Sequence, residues 1–243
     1  MPILSSEYLT VINLFRTDTS SNQDTLIGAM REIVDAAAYE GWVSSTVHGG
    51  QDKLGTANFI QWRSGRDLEK RYAGEEFKHR TIPQFTELTT SIRLLQTTLA
   101  ATMRHPAQGD RTEIGPHRDD YTVIELLGVD PAAQEDLVGA LGDSGDWLLE
   151  TRGYRSYSVL RGLRARGVGH GTQLAVTPSG PADGAFVVTY SQWDSKQAYD
   201  AFRDLPKQQQ PEQRQKTQAQ LDSLITSCEW NTYRVVHSRS AGP

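Results

Sequence analysis

An internal repeat constrains the fold of this 243-residue chain more than any other feature. The segment Thr-Val-Ile-Asn-Leu-Phe at 10–15 recurs as Thr-Val-Ile-Glu-Leu-Leu at 122–127, an offset of 112 residues (122 minus 10). Two further blocks match in the same order, 23–30 with 134–141 and 58–64 with 189–195. Repetition over this distance indicates a duplicated structural unit of about one hundred residues.

The second copy of the repeat is longer than the first. At the last matching block the offset rises to 131 (189 minus 58), so 19 additional residues fall around 164–183. Because this segment is rich in Gly, Pro and Thr, we expect it to form a long loop. The chain therefore divides into a first domain over 1–105 and a second over 118–243, joined by a polar linker.

The element order of each copy predicts the fold class. In the first copy a strand at 10–15 precedes an amphipathic helix that we expect to end at Gly41, and two strands follow at 42–48 and 57–62. Ser64 caps a second helix, a third helical pattern spans 82–92, and a last strand begins near Leu95. The order βαββαβ is that of a ferredoxin-like unit, whose sheet carries helices on one face.

The other face of each sheet must also be buried. Two copies in one chain can bury these faces against each other. We therefore predict an α+β fold in which two tandem ferredoxin-like units form a dimeric α+β barrel-type architecture.

Three side chains on the predicted strands differ from what a plain core strand would carry. By the alternation of strand side chains, Asn13 shares a face with Phe15, and Asn58 shares one with Ile60 and Trp62. A buried amide without a partner costs about 1–3 kcal/mol. We interpret Asn13, Asn58 and Trp62 as ligand-binding groups and expect them on the sheet face that the helices do not cover.

Composition and charge limit the partners. The net charge is -5, the pI is near 5.7 and no block of Lys or Arg occurs, which argues against nucleic acid or an anionic membrane. A small neutral or weakly acidic ligand fits better. The chain lacks a long apolar run and a secretion signal, so we expect a cytoplasmic protein. Its single cysteine, Cys228, cannot form an intrachain disulfide.

The sequence offers no motif for several common chemistries. The six histidines do not fall at a metal-ligand spacing with one another or with Cys228, so no metal site is predicted. The glycines at 167–171 lack a preceding strand and a following helix, and are interpreted as loop rather than as a dinucleotide site. His48 and His79 are candidate general bases that would ionise a phenol, with a structural or exposed role as the alternative for each.

With Asn13 on the first strand and the spacing Asn58-x-x-x-Trp62 on the third, the duplicated unit resembles the antibiotic biosynthesis monooxygenase superfamily, and within it the anthrone-oxygenase type. The tandem arrangement is similar to oxygenases that open rings of angucycline-type polyketides. The resemblance implies that Asn13, Asn58 and Trp62 hold an aromatic polyketide and activate its reaction with O₂. The substrate contacts expected around them are Phe15, His48, Ile60, Tyr72 and His79. A tyrosine and an arginine found in some members have only shifted counterparts, Tyr72 and Arg80.

The resemblance also implies which co-reactants take part. O₂ would be the co-substrate, and the protein itself would require no cofactor. A ring-opening member would need reduced flavin, FADH₂ or FMNH₂, from a partner reductase, and single-unit members form homodimers. At the three equivalent positions the second copy carries Glu125, Thr189 and Trp193, so the tryptophan is kept and the asparagine pair is lost. We therefore expect only the first half to be active, with the insertion of the second half covering an opening.

Two other functions stay open from the sequence. A haem-degrading oxygenase of the same superfamily would need an axial histidine in the helix after Trp62, and 68–72 contains none. A non-catalytic or cyclase-like barrel could bind a polyketide without oxidising it. Oxygen uptake distinguishes this last alternative from the oxygenase.

Overall fold

Eight antiparallel strands close into one barrel, with helices packed on its outer surface. The computed structural model describes residues 2, 4–143, 145–168 and 185–242. The strands are β1 (Leu9–Arg16), β2 (Trp42–Gly50), β3 (Gly55–Trp62), β4 (Ser91–Arg104), β5 (Tyr121–Val129), β6 (Tyr154–Val168), β7 (Phe186–Trp193) and β8 (Ile225–Ser240). The helices are α1 (Ser20–Ala36), α2 (Gly65–Ala73), α3 (Ile82–Leu88), α4 (Gln134–Gly142), α5 (Gly145–Leu149), α6 (Lys196–Arg203) and α7 (Glu212–Leu224), and a π-helical turn, Phe77–Thr81, joins α2 to α3.

Local signals in the sequence account for most helix starts. Thr19, Ser64 and Ser195 occupy N-cap positions, and each accepts a backbone hydrogen bond from the first turn of its helix. The predicted end of the first helix at Gly41 is wrong, because α1 ends at Ala36. Gly41 instead has φ +75° in the turn that enters β2, a conformation that favours glycine.

The strand order repeats across the two halves of the chain. Around the barrel the order is β1-β3-β2-β8-β5-β7-β6-β4, so β4-β1-β3-β2 in the first half has the counterpart β8-β5-β7-β6 in the second. The β2–β8 and β4–β6 ladders join the halves. The protein is thus a mixed α+β fold with one closed antiparallel sheet, as the element pattern predicted at this level.

Large apolar side chains fill the inside of the barrel. Ile12 and Phe59 from the first half pack there with Phe186 and Tyr190 from the second, and all four are fully buried. Ile114, from the segment predicted to be a polar linker, is also fully buried in this cluster, and its backbone N–H donates to the carbonyl of Pro2. The linker therefore places an apolar side chain in the barrel core, although most of its residues are exposed or half-buried.

The predicted insertion at 164–183 is not entirely a loop. Residues 164–168 continue β6 and pair with β4, from Gln96 opposite Arg164 to Ile92 opposite Val168. The rest of the predicted insertion lies outside the described residues. Among the helices that the structure describes, none has the length and apolar character needed to cross a membrane.

Candidate active site

The two predicted asparagines lie side by side on neighbouring strands. In the β1–β3 ladder Asn13 is directly opposite Asn58, and Trp62 ends the same face of β3. This face packs against the helices, since Phe15 on it meets Phe85 of α3 with ring centroids 5.5 Å apart. The expectation that these side chains face away from the helices is wrong, because the alternate residues, such as Phe59, fill the barrel interior.

A small cavity lies between this sheet face and the helices. Its volume is about 70 Å³. Asn13, Asn58 and Trp62 line its sheet wall together with the predicted contacts Phe15 and Ile60, and Tyr72 of α2 lines its helix wall. Six of the eight residues singled out by the sequence are thus brought together.

Four polar atoms at this cavity lack a partner. The Oδ1 atoms of Asn13 and Asn58, the Nε1 atom of Trp62 and the hydroxyl of Tyr72 are buried, and no described group is within hydrogen-bonding reach of them. Each such group costs about 1–3 kcal/mol when it is left unsatisfied. A cluster of four around one cavity is the arrangement expected of groups that bind a polar ligand.

An irregularity in β2 adds Trp42 to this site. The β2–β3 register shifts between Trp42 and Ser44, which places Trp42 opposite Trp62. The Trp42 indole donates to Ser45 Oγ at 2.9 Å, and both residues line the cavity. Simple alternation would have put Trp42 on the other face of the sheet, so its place at this cavity could not be predicted from the sequence.

A cationic side chain that sequence reasoning missed also lines the cavity. The Arg71 guanidinium lies 4.2 Å from the ring centroid of Tyr39, pairs with Glu76 at 3.1 Å, and its side chain is 8% exposed. Tyr39 in turn stacks on Trp62 with ring centroids 6.4 Å apart. The only sequence signal was its position beside Tyr72 in α2.

Tyr72 is held as a neutral phenol. Burial is the main cause that raises its pKa well above the ordinary value. The Arg166 guanidinium at the end of β6 lies 5.2 Å from the ring centroid of Tyr72 and pairs with Glu69 of α2 at 2.9 Å. The second half of the chain therefore supports Tyr72, a residue of the cavity wall, from outside the cavity.

The two predicted histidines lie elsewhere. His79 is on the outside of the π-helical turn, with its side chain 73% exposed and 3.3 Å from Glu75, while Phe77 and Thr81 of the same turn face the cavity. Arg80 is exposed as well. The prediction that His79 contacts substrate does not agree with this geometry, because the turn directs it into solvent.

His48 is inside the barrel, on the opposite face of the sheet from Asn58. It pairs with Ala57 rather than with Asn58 in the β2–β3 ladder, and its Nε2 lies 2.9 Å from the Tyr190 hydroxyl. Burial lowers its pKa to about 4. The prediction that His48 could be the base for a bound phenol is wrong, since the sheet itself separates it from the cavity.

The equivalent place in the second half is built differently. Glu125 is opposite Thr189, whose hydroxyl donates to Glu125 Oε2 at 2.7 Å, and the Trp193 indole donates to Ser191 Oγ at 3.0 Å. The cavity beside them has a volume of about 440 Å³. Among the residues that the structure describes, His, Cys, Asp and Glu form no group of three or more that could hold a metal ion.

Comparison with solved structures identifies the family. The chain is 52% identical to an anthrone oxidase-like protein of known crystal structure, and the match covers 100% of this chain and 98% of that one with a TM-score of 0.90. A "putative monooxygenase" from Lactobacillus acidophilus NCFM matches at 9% identity over 96% of both chains, with a TM-score of 0.57. A mutant chlorite dismutase from Candidatus Nitrospira defluvii matches at 12% identity, over 94% of this chain and 92% of that one, with a TM-score of 0.51.

The last two similarities concern the fold alone, because their sequence identity is low. No protein-family model matches the chain, and no curated protein matches its sequence. The similarity to the anthrone oxidase-like protein extends over the whole chain, including both halves of the repeat. The chain therefore belongs to the antibiotic biosynthesis monooxygenase superfamily, as an oxygenase of the anthrone-oxygenase type.

Proposed function

We propose that the protein uses O₂ to oxidise, or oxidatively cleave, a ring of a polycyclic aromatic polyketide of the anthrone or angucyclinone type in antibiotic biosynthesis. The reaction would take place in the cavity between the first half's sheet and its helices. The observation that carries this proposal is the set of four unpaired polar atoms, from Asn13, Asn58, Trp62 and Tyr72, around one cavity. The similarity to a protein described as anthrone oxidase-like agrees with it.

The proposal includes the architecture. We propose that 1–105 and 118–243 are two tandem ferredoxin-like units that form within one chain the barrel that single-unit proteins form by dimerisation. The repeated strand order, β4-β1-β3-β2 and β8-β5-β7-β6, supports this division. Association of whole chains into a homodimer is a further prediction, which a sedimentation measurement can test.

The side chains would act by positioning and by charge stabilisation. The amide oxygens of Asn13 and Asn58 can each accept a hydrogen bond from a phenolic hydroxyl, and their NH₂ groups can donate to a carbonyl or phenolate oxygen. The Trp62 indole N–H can donate to oxyanion charge that develops on the substrate or on the peroxide. In preorganised sites one such donor contributes about 2.7–4 kcal/mol to the transition state.

The proposed anthrone reaction balances without another redox partner. An ionised anthrone transfers one electron to O₂, and the resulting radical and superoxide combine into a hydroperoxide anion. This anion takes back the proton lost on ionisation. Loss of water from the hydroperoxide then leaves a carbonyl where the CH₂ group had been, so CH₂ and O₂ become C=O and H₂O.

Ring cleavage has a different balance. If one oxygen atom of O₂ enters the ring and the other leaves as water, two electrons and two protons must come from outside. Reduced flavin from a partner reductase is the proposed source. The dependence of the reaction on added reduced FMN therefore separates the two reaction types.

Occupation of the cavity requires movement of its helix wall. A volume of about 70 Å³ is below the roughly 300–1,000 Å³ of typical ligand pockets. Phe77 of the π-helical turn and Phe85 of α3 form part of this wall. We propose that this segment moves outward when the aromatic substrate binds.

Haem degradation is less well supported. It would need an axial histidine on the helix that follows Trp62, and α2 contains none. His79 is exposed and turned away from the cavity. A Soret band on addition of haemin that shifts in His79→Ala would favour haem binding instead.

The decisive experiment is oxygen uptake with an anthrone and with an angucyclinone, each with and without reduced FMN. We expect uptake that matches product formation, and a loss of at least about tenfold in Asn58→Ala, because an interaction with the transition state is removed. Asn22→Ala, at a half-buried asparagine of α1 that lines neither cavity, is the matched control. Because reduced FMN itself consumes O₂, uptake in that arm is measured above an enzyme-free blank. Binding of both compounds without oxygen uptake above the blank would favour the non-catalytic barrel.

A further inference from the structure

The second half contains a cavity that the proposed oxygenase reaction does not use. It lies between the outer face of β5 and β7 and the helices α4, α5, α6 and α7, and its volume of about 440 Å³ is within the range of ligand pockets. It is thus several times larger than the first half's cavity. The replacement of the asparagine pair by Glu125 and Thr189 has therefore not closed the equivalent space.

Aromatic rings form one wall of this second cavity. Phe202 stacks nearly parallel to Trp147, with an interplanar angle of 10° and ring centroids 5.9 Å apart, and contacts Trp193 at 4.8 Å. Tyr199 packs against Trp193 at 5.5 Å. Flat aromatic faces around an open space favour a ligand that is itself flat and aromatic.

Polar groups stand on opposite walls. On the sheet wall Glu125 accepts a hydrogen bond from Thr189 at 2.7 Å, and the Tyr157 hydroxyl lies beside the same threonine. Burial raises the pKa of the Glu125 carboxyl, and the hydrogen bond from Thr189 opposes this shift in part. On the helix wall the Trp147 indole nitrogen is buried and has no partner among the described residues.

A buried guanidinium completes the helix wall. Arg214 of α7 is 9% exposed, and its guanidinium lies 4.0 Å from the ring centroid of Phe202. Together with the Trp147 indole it supplies hydrogen-bond donors, whereas Glu125 on the sheet wall supplies an acceptor. A ligand that spans the cavity would thus need a hydroxyl at one end and a carbonyl or a second oxygen at the other.

We infer that this cavity is a second, separate binding site for a planar aromatic compound that carries a phenolic hydroxyl and a carbonyl group. The hydroxyl bonds to Glu125, the carbonyl accepts from Trp147 or Arg214, and the rings pack against the aromatic wall of the cavity. This site binds its ligand whether or not the first half is an oxygenase. Binding and oxygen uptake therefore test the two proposals separately.

The test is equilibrium dialysis of the whole protein with 1,8-dihydroxyanthraquinone, which has no CH₂ group to oxidise. We expect a binding site whose affinity falls at least about tenfold in Glu125→Ala, as for loss of a hydrogen bond to a carboxyl group. Glu125→Gln keeps a hydrogen-bond acceptor of similar size and should stay within about threefold of the wild type. Thr217→Trp, which fills the cavity from α7, should abolish this site, while Asn58→Leu in the first half should retain it.

Circular dichroism and thermal melting establish that each variant is folded. Absence of binding to the wild type would overturn the proposal, as would binding that neither Glu125→Ala nor Thr217→Trp weakens. Equal loss in Glu125→Gln and Glu125→Ala, with both variants folded, would show that the hydroxyl does not bond to this side chain. Oxygen uptake by the wild type has no bearing on any of these outcomes.

Discussion

Substitution of Asn58 by leucine should make the protein more stable and less active. Asn58 is 9% exposed, and its Oδ1 atom is buried without a partner among the described residues. Removing an unsatisfied buried group recovers up to about 1–3 kcal/mol, and leucine adds apolar burial at similar volume. We expect the free energy of unfolding to rise by about 1–2 kcal/mol in Asn58→Leu.

Asn231 provides a matched control in β8. It is also 9% exposed, but its Oδ1 accepts from the Lys53 backbone N–H at 3.0 Å and its Nδ2 donates to the Lys53 carbonyl at 2.9 Å. Asn231→Leu leaves both backbone groups unpaired. We expect it to lower the free energy of unfolding by about 1–3 kcal/mol, from two hydrogen bonds of about 0.5–1.5 kcal/mol each.

Urea unfolding followed by tryptophan fluorescence measures both variants, and equal m-values make the comparison valid. In Asn58→Leu the gain in stability should accompany a loss of at least about tenfold in turnover. If the free energy of unfolding of Asn58→Leu falls by about 1 kcal/mol or more at an unchanged m-value, the amide is paired in the free protein, because loss of a satisfied buried amide has roughly this effect. That result would refute the reasoning for a ligand site.

Three further predictions concern other parts of the molecule. Trp62→Phe should reduce turnover at least about tenfold through loss of the indole donor, whereas Trp230→Phe, outside both cavities, should stay near wild type in the same oxygen-uptake assay. Burial lowers the pKa of His48 to about 4, so the folded state resists protonation of this side chain. The free energy of unfolding should therefore keep its full value above pH 6.5 and fall by about 3 kcal/mol between pH 6.5 and 4. His48→Gln should flatten this slope in urea unfolding, and an unchanged slope would contradict the assignment. Arg166→Ala removes the guanidinium that packs on Tyr72 and should raise KM more than it lowers kcat, with a fall in melting temperature of about 2–4 °C per kcal/mol of stability lost. A reduced kcat at unchanged KM would argue against a role of Arg166 in positioning Tyr72.

The order of elements and six residues of the first cavity could be predicted from the sequence because both depend on local patterns. Capping residues such as Ser64 mark helix starts, and alternation places Asn58 and Trp62 on a common face. Alternation does not say which face this is. Both faces of β1 are apolar, with Val11 and Phe15 on one and Ile12 on the other, so only the position of the helices decides it.

Register irregularities and helix packing explain what could not be predicted. The shift between Trp42 and Ser44 reverses the facing of Trp42, and no residue in that stretch signals it. His48 was assigned to the wrong environment because Ser44 and Thr46, which share its strand face, are polar, although the barrel interior encloses it. The volume of each cavity depends on how closely α-helices approach the sheet, which is a property of tertiary packing that substitutions such as Glu125 for Asn13 do not reveal.

The ladders between β2 and β8 and between β4 and β6 place both cavities within a single polypeptide. In a barrel assembled from two identical subunits, every mutation appears twice and both chambers must change together. Here one chamber can lose an amide or gain a carboxyl group while the other is left intact. Covalent continuity thus allows the protein to combine a tight chamber and a spacious one, a pairing that strict twofold symmetry would forbid.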